Sequence, residues 1–184
     1  MDIVGKILEL DEALTRHDIA HAFGGALALA WCTQQARGTI DIDVNLFTDA
    51  ADLARVKAAL PPGVVWKKGD EELLVGEGQV RLFWDKVPVD IFLNTTPYHE
   101  GLAERIRFED FAGCRVPFLS CTDLAVFKVF FNRPKDWVDL AEMVATGSLD
   151  VDVVLGVVVR YLGGSDPRVE RLRDVVRGAR PDDH

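Results

Sequence analysis

Apolar residues recur at helical spacing over residues 3–14, where Ile3, Val4, Ile7, Leu8, Leu10 and Leu14 would share one face of an amphipathic helix. A short apolar run over 19–23 meets Gly24-Gly25, and the Ala- and Leu-rich stretch 26–36 predicts a helix leaving that turn. Residues 40–47 (IDIDVNLF) alternate apolar and polar, the clearest strand pattern in the chain. A second amphipathic helix is predicted over 49–60, stopped by Pro61-Pro62-Gly63. Strand patterns over 79–84 and 87–93 are joined by Asp85-Lys86, a link short enough to predict an antiparallel hairpin, with an edge strand over 64–67 before it. Residues 97–107 read as helical and 108–119 as irregular with short extended pieces. From residue 122 the pattern turns helical, over 122–131, 134–145, 151–162 and 167–177. Ser120 or Thr122 can cap the first of these and Ser165 or Asp166 the last, and the polar tail RGARPDDH is expected to fray.

This order predicts an α/β (α+β) protein. A mixed sheet flanked by helices would occupy residues 1–119, and a C-terminal helical bundle, residues 120–184, would lie on that core. A length of 184 residues with 48% hydrophobic content is enough for a sizeable core. The net charge of -9 argues against tight, non-specific binding to a phosphate backbone, although a local basic groove remains compatible with it. The N-terminus lacks the basic-then-apolar layout of a signal peptide, and no stretch approaches ~20 uninterrupted apolar residues, which argues against a membrane span. Cys32, Cys114 and Cys121 form an odd, widely spaced set without a CxxC pair, and are expected to be reduced thiols of a cytoplasmic protein.

The candidate chemistry lies in the carboxylates. Side chains two apart in a strand share a face, so Asp41 and Asp43 would stand side by side while Ile40, Ile42, Val44 and Leu46 form the buried face. Aspartate is a poor strand former, and two like charges at this spacing call for a shared proton or a cation. Asp90, in VPVDIFL, would join them if its strand pairs beside theirs. Three carboxylates suit magnesium, which takes one or two protein carboxylates together with phosphate oxygens and water. Gly24-Gly25, between a short strand and a helix, permits a left-handed turn and a helix N-terminus open to phosphate. The histidines show no ligand spacing, and His21 reads as a satisfied core or rim residue. Phe127, Phe130, Phe131 and Trp137 fall at helical spacing and read as core.

Taken together, FGGALAL, RGTIDIDV and VDIFL resemble the nucleotidyltransferase fold of the DNA polymerase beta superfamily, with a closer likeness to the abortive-infection AbiEii-type toxin branch. FKVFFNRPKDWVDL is similar to that branch's second motif, so that the likeness spans residues 19–145. The resemblance implies that Asp41, Asp43 and Asp90 bind magnesium and serve catalysis, with Asp90 helping to activate the acceptor hydroxyl. It implies a nucleotide-binding role for Gly24, Gly25, Arg37, Thr39, Lys128, Arg133 and Lys135. Lys128 stands among Phe127, Val129, Phe130 and Phe131, an unusual setting for a charge; the alternatives are that it snorkels, and that Asp136 and Asp139 pair with Lys135 or Arg133 on the surface. One departure is Ala26, where many superfamily members carry Ser or Thr after the two glycines.

The implied activity is transfer of a nucleoside monophosphate from an NTP to an acceptor hydroxyl on tRNA or protein, by a toxin that a partner antitoxin would neutralise. Two other readings stand beside it: a small-molecule, aminoglycoside-type nucleotidyltransferase, and a nucleotide-binding module without turnover.

Overall fold

The computed structural model describes residues 1–35 and 38–179. Arg37 and the tail beyond residue 179, on which sequence expectations fall, lie outside the described residues. The chain forms two compact units, one of Met1–Leu27 with Arg37–Leu119, the other of Ala28–Ala36 with Ser120–His184. Among the described residues it is a mixed α/β structure with one seven-stranded sheet, as the alternation of patterns predicts.

The first unit opens with α1 (Ile3–Arg16), whose N-terminus is closed by the Asp2 carboxylate accepting from Gly5 N at 2.8 Å. Ile7, Leu10, Ala13 and Leu14 form its buried face. Lys6 is buried with them, its ammonium donating to Trp84 O at 3.1 Å and to Asp85 at 2.5 Å. The sheet comprises β1 (His21–Phe23), β2 (Ile42–Leu46), β3 (Val64–Val65), β4 (Gln79–Trp84), β5 (Val87–Phe92), β6 (Arg107–Phe111) and β7 (Cys114–Phe118). Its order is β3-β4-β5-β2-β1-β7-β6. β2 lies between antiparallel β1 and parallel β5, and β4 and β5 form the expected hairpin. β3 takes the expected place at the edge.

Several segments depart from the sequence reading, each for a local reason. Residues 97–107 are not one helix. A short 3-10 helix (Pro97–His99) is separated from the single turn α5 (Leu102–Arg105) by Gly101 at φ 76°. Residues 108–119 are not irregular, because β6 and β7 pair antiparallel around Ala112-Gly113, both at positive φ, as a tight hairpin turn requires. The helix predicted over 49–60 begins as a 3-10 turn (Ala50–Asp52) and continues as α3 (Leu53–Ala59). An additional helix, α4 (Asp70–Glu77), runs between Gly69 and Gly78, with Asp70, Glu71 and Glu72 in its first turn, where the dipole favours acidic residues.

In the second unit, α6 (Cys121–Phe131), α7 (Pro134–Ala145), α8 (Val151–Leu162) and α9 (Pro167–Ala179) bury Leu124, Val126, Leu140, Met143, Val158, Val169 and Leu172 against one another. Ser120 caps α6 by accepting from Asp123 N, and the Asp166 carboxylate accepts from Arg168 N at the start of α9. The later residues of α2 (Gly25–Thr33), from Ala28 on, belong to this unit. Cys32 and Cys121 are joined by a disulfide with Cα atoms 5.6 Å apart, which corrects the expectation of three reduced thiols; only Cys114 is a free cysteine, and it is exposed. The two half-cystines lie 89 residues apart, a distance over which spacing gives no hint of proximity. No helix among the described residues is long and apolar enough to cross a membrane.

Candidate functional site

The pairing register builds the site. β2 pairs β5 with Asp43 opposite Asp90, and β5 pairs β4 with Asp90 opposite Arg81. On the other side of β2 the register runs to Phe23 opposite Val44, and Gly24 continues it by donating its N–H to Asp43 O at 2.9 Å. Arg81, Asp90, Asp43 and Gly24 therefore stand in one row across four adjacent strands. Residues directly opposite one another have their Cβ atoms on the same side of the sheet, about 4.5–5.5 Å apart in antiparallel pairs.

Asp41 lies just before β2, in a bend, and Ile40 is 81% exposed, so the buried face begins at Ile42 rather than at Ile40. The Thr39 hydroxyl accounts for the bend. It donates to Asp41 Oδ1 at 2.8 Å, and its oxygen accepts from Asp41 N at 3.3 Å. This local side-chain bonding competes with the strand ladder and fixes the orientation of Asp41. Thr39, expected to bind nucleotide, is thus placed as the residue that holds Asp41.

Gly25 begins α2 at φ +54°, and a Cβ there would lie 1.9 Å from Asp43 Oδ2 and 2.5 Å from its Cγ. Only a residue without a side chain lets the backbone pass this close to that carboxylate. At Gly24 the contacts are looser: a Cβ would meet Asn45 Nδ2 at 3.1 Å and Leu119 Cδ1 at 3.3 Å.

Arg81 is the residue the sequence reading missed. Its Nε donates to Asp90 Oδ1 at 2.7 Å and its Nη2 to Asp90 Oδ2 at 2.6 Å, a two-pronged ion pair. The same Nη2 is 3.7 Å from Asp41 Oδ2. The hydrogen bonds to Asp90, followed by the charges of Asp90, Asp41 and Asp43, raise the guanidinium pKa above its ordinary value against the opposing effect of burial. A signal for it was present: a two-residue link between strands 79–84 and 87–93 sets Trp84 against Val87 and, three pairs on, Arg81 against Asp90.

Among the described residues, no three His, Cys, Asp or Glu side chains are drawn together as a ready-made metal-binding group. The donor chemistry nevertheless suits a hard divalent ion: carboxylates on neighbouring strands, beside a glycine turn that a Cβ would obstruct. Asp41 and Asp90 are partly exposed, at 26% and 14% of their side chains, so a ligand can reach them.

The remaining candidates belong to the second unit. Lys128 is buried, and its ammonium donates to Asp139 Oδ2 at 2.6 Å and lies 3.6 Å from Asp136 Oδ1. Arg133 Nε donates to Asp136 Oδ2 at 2.7 Å, while Lys135 is exposed. The ion pairs foreseen as surface contacts are thus centred on Asp136, which is wholly buried. His21 is satisfied as anticipated, with Nε2 at 2.9 Å from Asp11 Oδ1 and Nδ1 at 2.9 Å from Ile19 O. A separate cavity of about 560 Å³ is lined by residues including Asp11, His21, Ile106, Phe108 and Arg115.

No protein-family model matches the sequence, and no curated protein sequence matches it. Solved structures do. The antibiotic-resistance factor ANT(2'')-Ia, determined in solution, matches with a TM-score of 0.53 and 15% identity over 95% of this chain and 91% of its own. An antigenic nucleotidyltransferase-like protein from Paracoccidioides brasiliensis matches with a TM-score of 0.51 and 13% identity over 91% of this chain and 92% of its own. At such identities the likeness speaks to architecture alone, and on that ground the chain has a nucleotidyltransferase-like fold.

Proposed function

We propose that the protein is a magnesium-dependent nucleotidyltransferase that moves a nucleoside monophosphate from an NTP to an acceptor hydroxyl. The observation that carries this reading is the row Asp90, Asp43, Gly24 across three adjacent strands, with Asp41 held beside it by Thr39 and Gly25 making room for the Asp43 carboxylate. In this reading Asp41, Asp43 and Asp90 hold the ion. Bound magnesium would supply charge neutralisation for the triphosphate and orient it for in-line displacement. The Gly24-Gly25 turn lets the triphosphate approach the backbone, and the N-terminal amides of α2 face its negative charge. Asp90 orients the acceptor hydroxyl and takes its proton as the bond to the α-phosphorus forms, pyrophosphate leaving on the opposite side. Most of the rate would come from positioning and electrostatics. The sequence resemblance also implies a nucleotide-binding role for Arg37, Lys128, Arg133 and Lys135; within the second unit Lys128 and Arg133 pair with Asp139 and Asp136.

The likeness to the AbiEii-type branch makes tRNA or a protein the first acceptor class to examine, with an antitoxin as partner. The fold shared with an antibiotic-resistance factor makes a small hydroxylated compound such as an aminoglycoside the second. The test is incubation of the protein with each α-labelled NTP, magnesium and a cell extract, the products being separated into RNA, protein and small-molecule fractions. Wild type is expected to label one fraction, and Asp43→Asn to reduce that labelling by about 10²–10³-fold, the scale of losing one electrostatic contributor to a transition state. Equal labelling by both proteins, or none by wild type with any NTP, would remove the transferase reading.

A further inference from the structure

The metal-site reading leaves Arg81 without a role, yet Arg81 occupies both oxygens of a carboxylate that the reading needs. Its forked contact to Asp90 at 2.7 and 2.6 Å uses both inner lone pairs of that group, and the same guanidinium stands 3.7 Å from Asp41. A divalent ion on the Asp90 oxygens would lie within a few ångströms of this guanidinium, and the two positive charges would repel.

We propose that Arg81 is a tethered cation that holds the carboxylate cluster in the metal-free protein and competes with the divalent ion, so that metal binding requires the guanidinium to withdraw from Asp90. This rests on the reading of Asp41, Asp43 and Asp90 as the metal cluster. Three features support it. Carboxylates on neighbouring strands repel one another, and a positive charge from the adjoining strand relieves the repulsion until an ion arrives. The Arg81 side chain is 55% exposed while Asp90 is 14% exposed, so the guanidinium can move into water while Asp90 remains fixed in the sheet. Finally, solvent screens an ion pair with so exposed a partner, whereas a divalent ion carries twice the charge. Arg81 would thereby set the metal concentration at which the site fills, and release Asp90 for the acceptor only once it has filled.

The experiment is Mn2+ titration of the full-length protein without nucleotide, following loss of the free-ion electron paramagnetic resonance signal, for wild type, Arg81→Gln, Arg81→Lys and Asp43→Asn. Arg81→Gln is expected to bind Mn2+ about three- to tenfold more tightly than wild type, the range that release of an exposed ion pair supplies. Arg81→Lys, which keeps the charge but loses the fork, is expected to fall between them, and it carries the test should the glutamine variant misfold by circular dichroism. If Asp43→Asn weakens binding while both Arg81 variants bind as wild type does, or more weakly, the competition is overturned and the metal site stands. If no variant binds Mn2+, or Asp43→Asn leaves binding unchanged, the metal-site reading falls and the competition with it.

Discussion

In the first unit Arg81 faces Asp41, Asp43 and Asp90 from a side chain that is 55% exposed, and in the second Lys128 meets Asp139 and Asp136 from one that is 7% exposed. Both arrangements set cationic side chains against aspartates, yet they differ in wetness. Arg81 meets Asp90 and Asp41 where solvent can enter. Lys128 meets Asp139 and Asp136 in a place where Asp136 has no exposure at all. A dry ion pair holds helices together, because breaking it strands charge in a low dielectric. A wet one contributes less to the fold, because solvent screens it. The resemblance implies that Lys128 contacts phosphate, and the geometry gives its ammonium two aspartates within its own unit.

The sharpest way to break this contrast is Lys128→Met, which keeps the length and removes the charge. Taking one member from a buried ion pair costs about 3–5 kcal/mol. Urea unfolding of the variant, followed by far-ultraviolet circular dichroism, is expected to show a loss of that size. A loss below about 1 kcal/mol, the level of an exposed pair, would place Lys128 with Arg81 and return its ammonium to the phosphate role that the resemblance implies.

Gly25→Ala tests the other cluster with the next largest effect. A left-handed backbone conformation costs an L-residue about 1–2 kcal/mol, and the new Cβ would lie 1.9 Å from Asp43 Oδ2 unless that carboxylate moves. The carboxylate sits on a short side chain fixed to β2, so its displacement is expected to lower NTP-dependent labelling about as far as Asp43→Asn does. Gly24→Ala, whose nearest contacts would be 3.1 and 3.3 Å, is expected to fall well short of that loss. Equal activity of wild type and Gly25→Ala in the labelling assay would show that the close approach to Asp43 has no functional consequence.

How far these features could be read beforehand follows from their range along the chain. Alternation gave the strand that carries Asp43, and the two-residue link Asp85-Lys86 gave the hairpin that carries Asp90, because both are local patterns. The parallel pairing of β2 with β5 spans more than forty residues and is fixed by burial of Ile42, Val44, Val89 and Ile91 together, a three-dimensional condition that no local window contains. Asp41 was misplaced onto the strand because alternation cannot register that the Thr39 hydroxyl bends the chain there. The β6–β7 hairpin stayed hidden because Ala112 is not a residue whose identity announces positive φ. The Cys32–Cys121 bond was missed for the reason that hid the β2–β5 pairing, since its partners meet only once α2 and α6 are in place.

The smallest expected effect falls on Arg81 itself. If its pairing with Asp90 and Asp41 belongs to a site rather than to the fold, Arg81→Gln should lower stability by no more than about 1 kcal/mol, against the several kcal/mol expected for Lys128→Met. Two contributions set this figure, and they act in the same direction. Removal of the forked hydrogen bonds takes away a favourable contact, and removal of the charge takes a neighbouring cation from Asp90 and Asp41. Both operate close to solvent and are screened, so the difference between wild type and variant in urea unfolding should shrink as ionic strength rises from about 0.01 M to 1 M, where the screening length falls from roughly 30 Å to 3 Å. For Lys128→Met, whose charges are buried, the same change of salt should leave most of the deficit in place. An Arg81→Gln deficit above about 2 kcal/mol that persisted in high salt would put the two clusters in one structural class, and the sheet would then hold its three aspartates chiefly as partners for arginine.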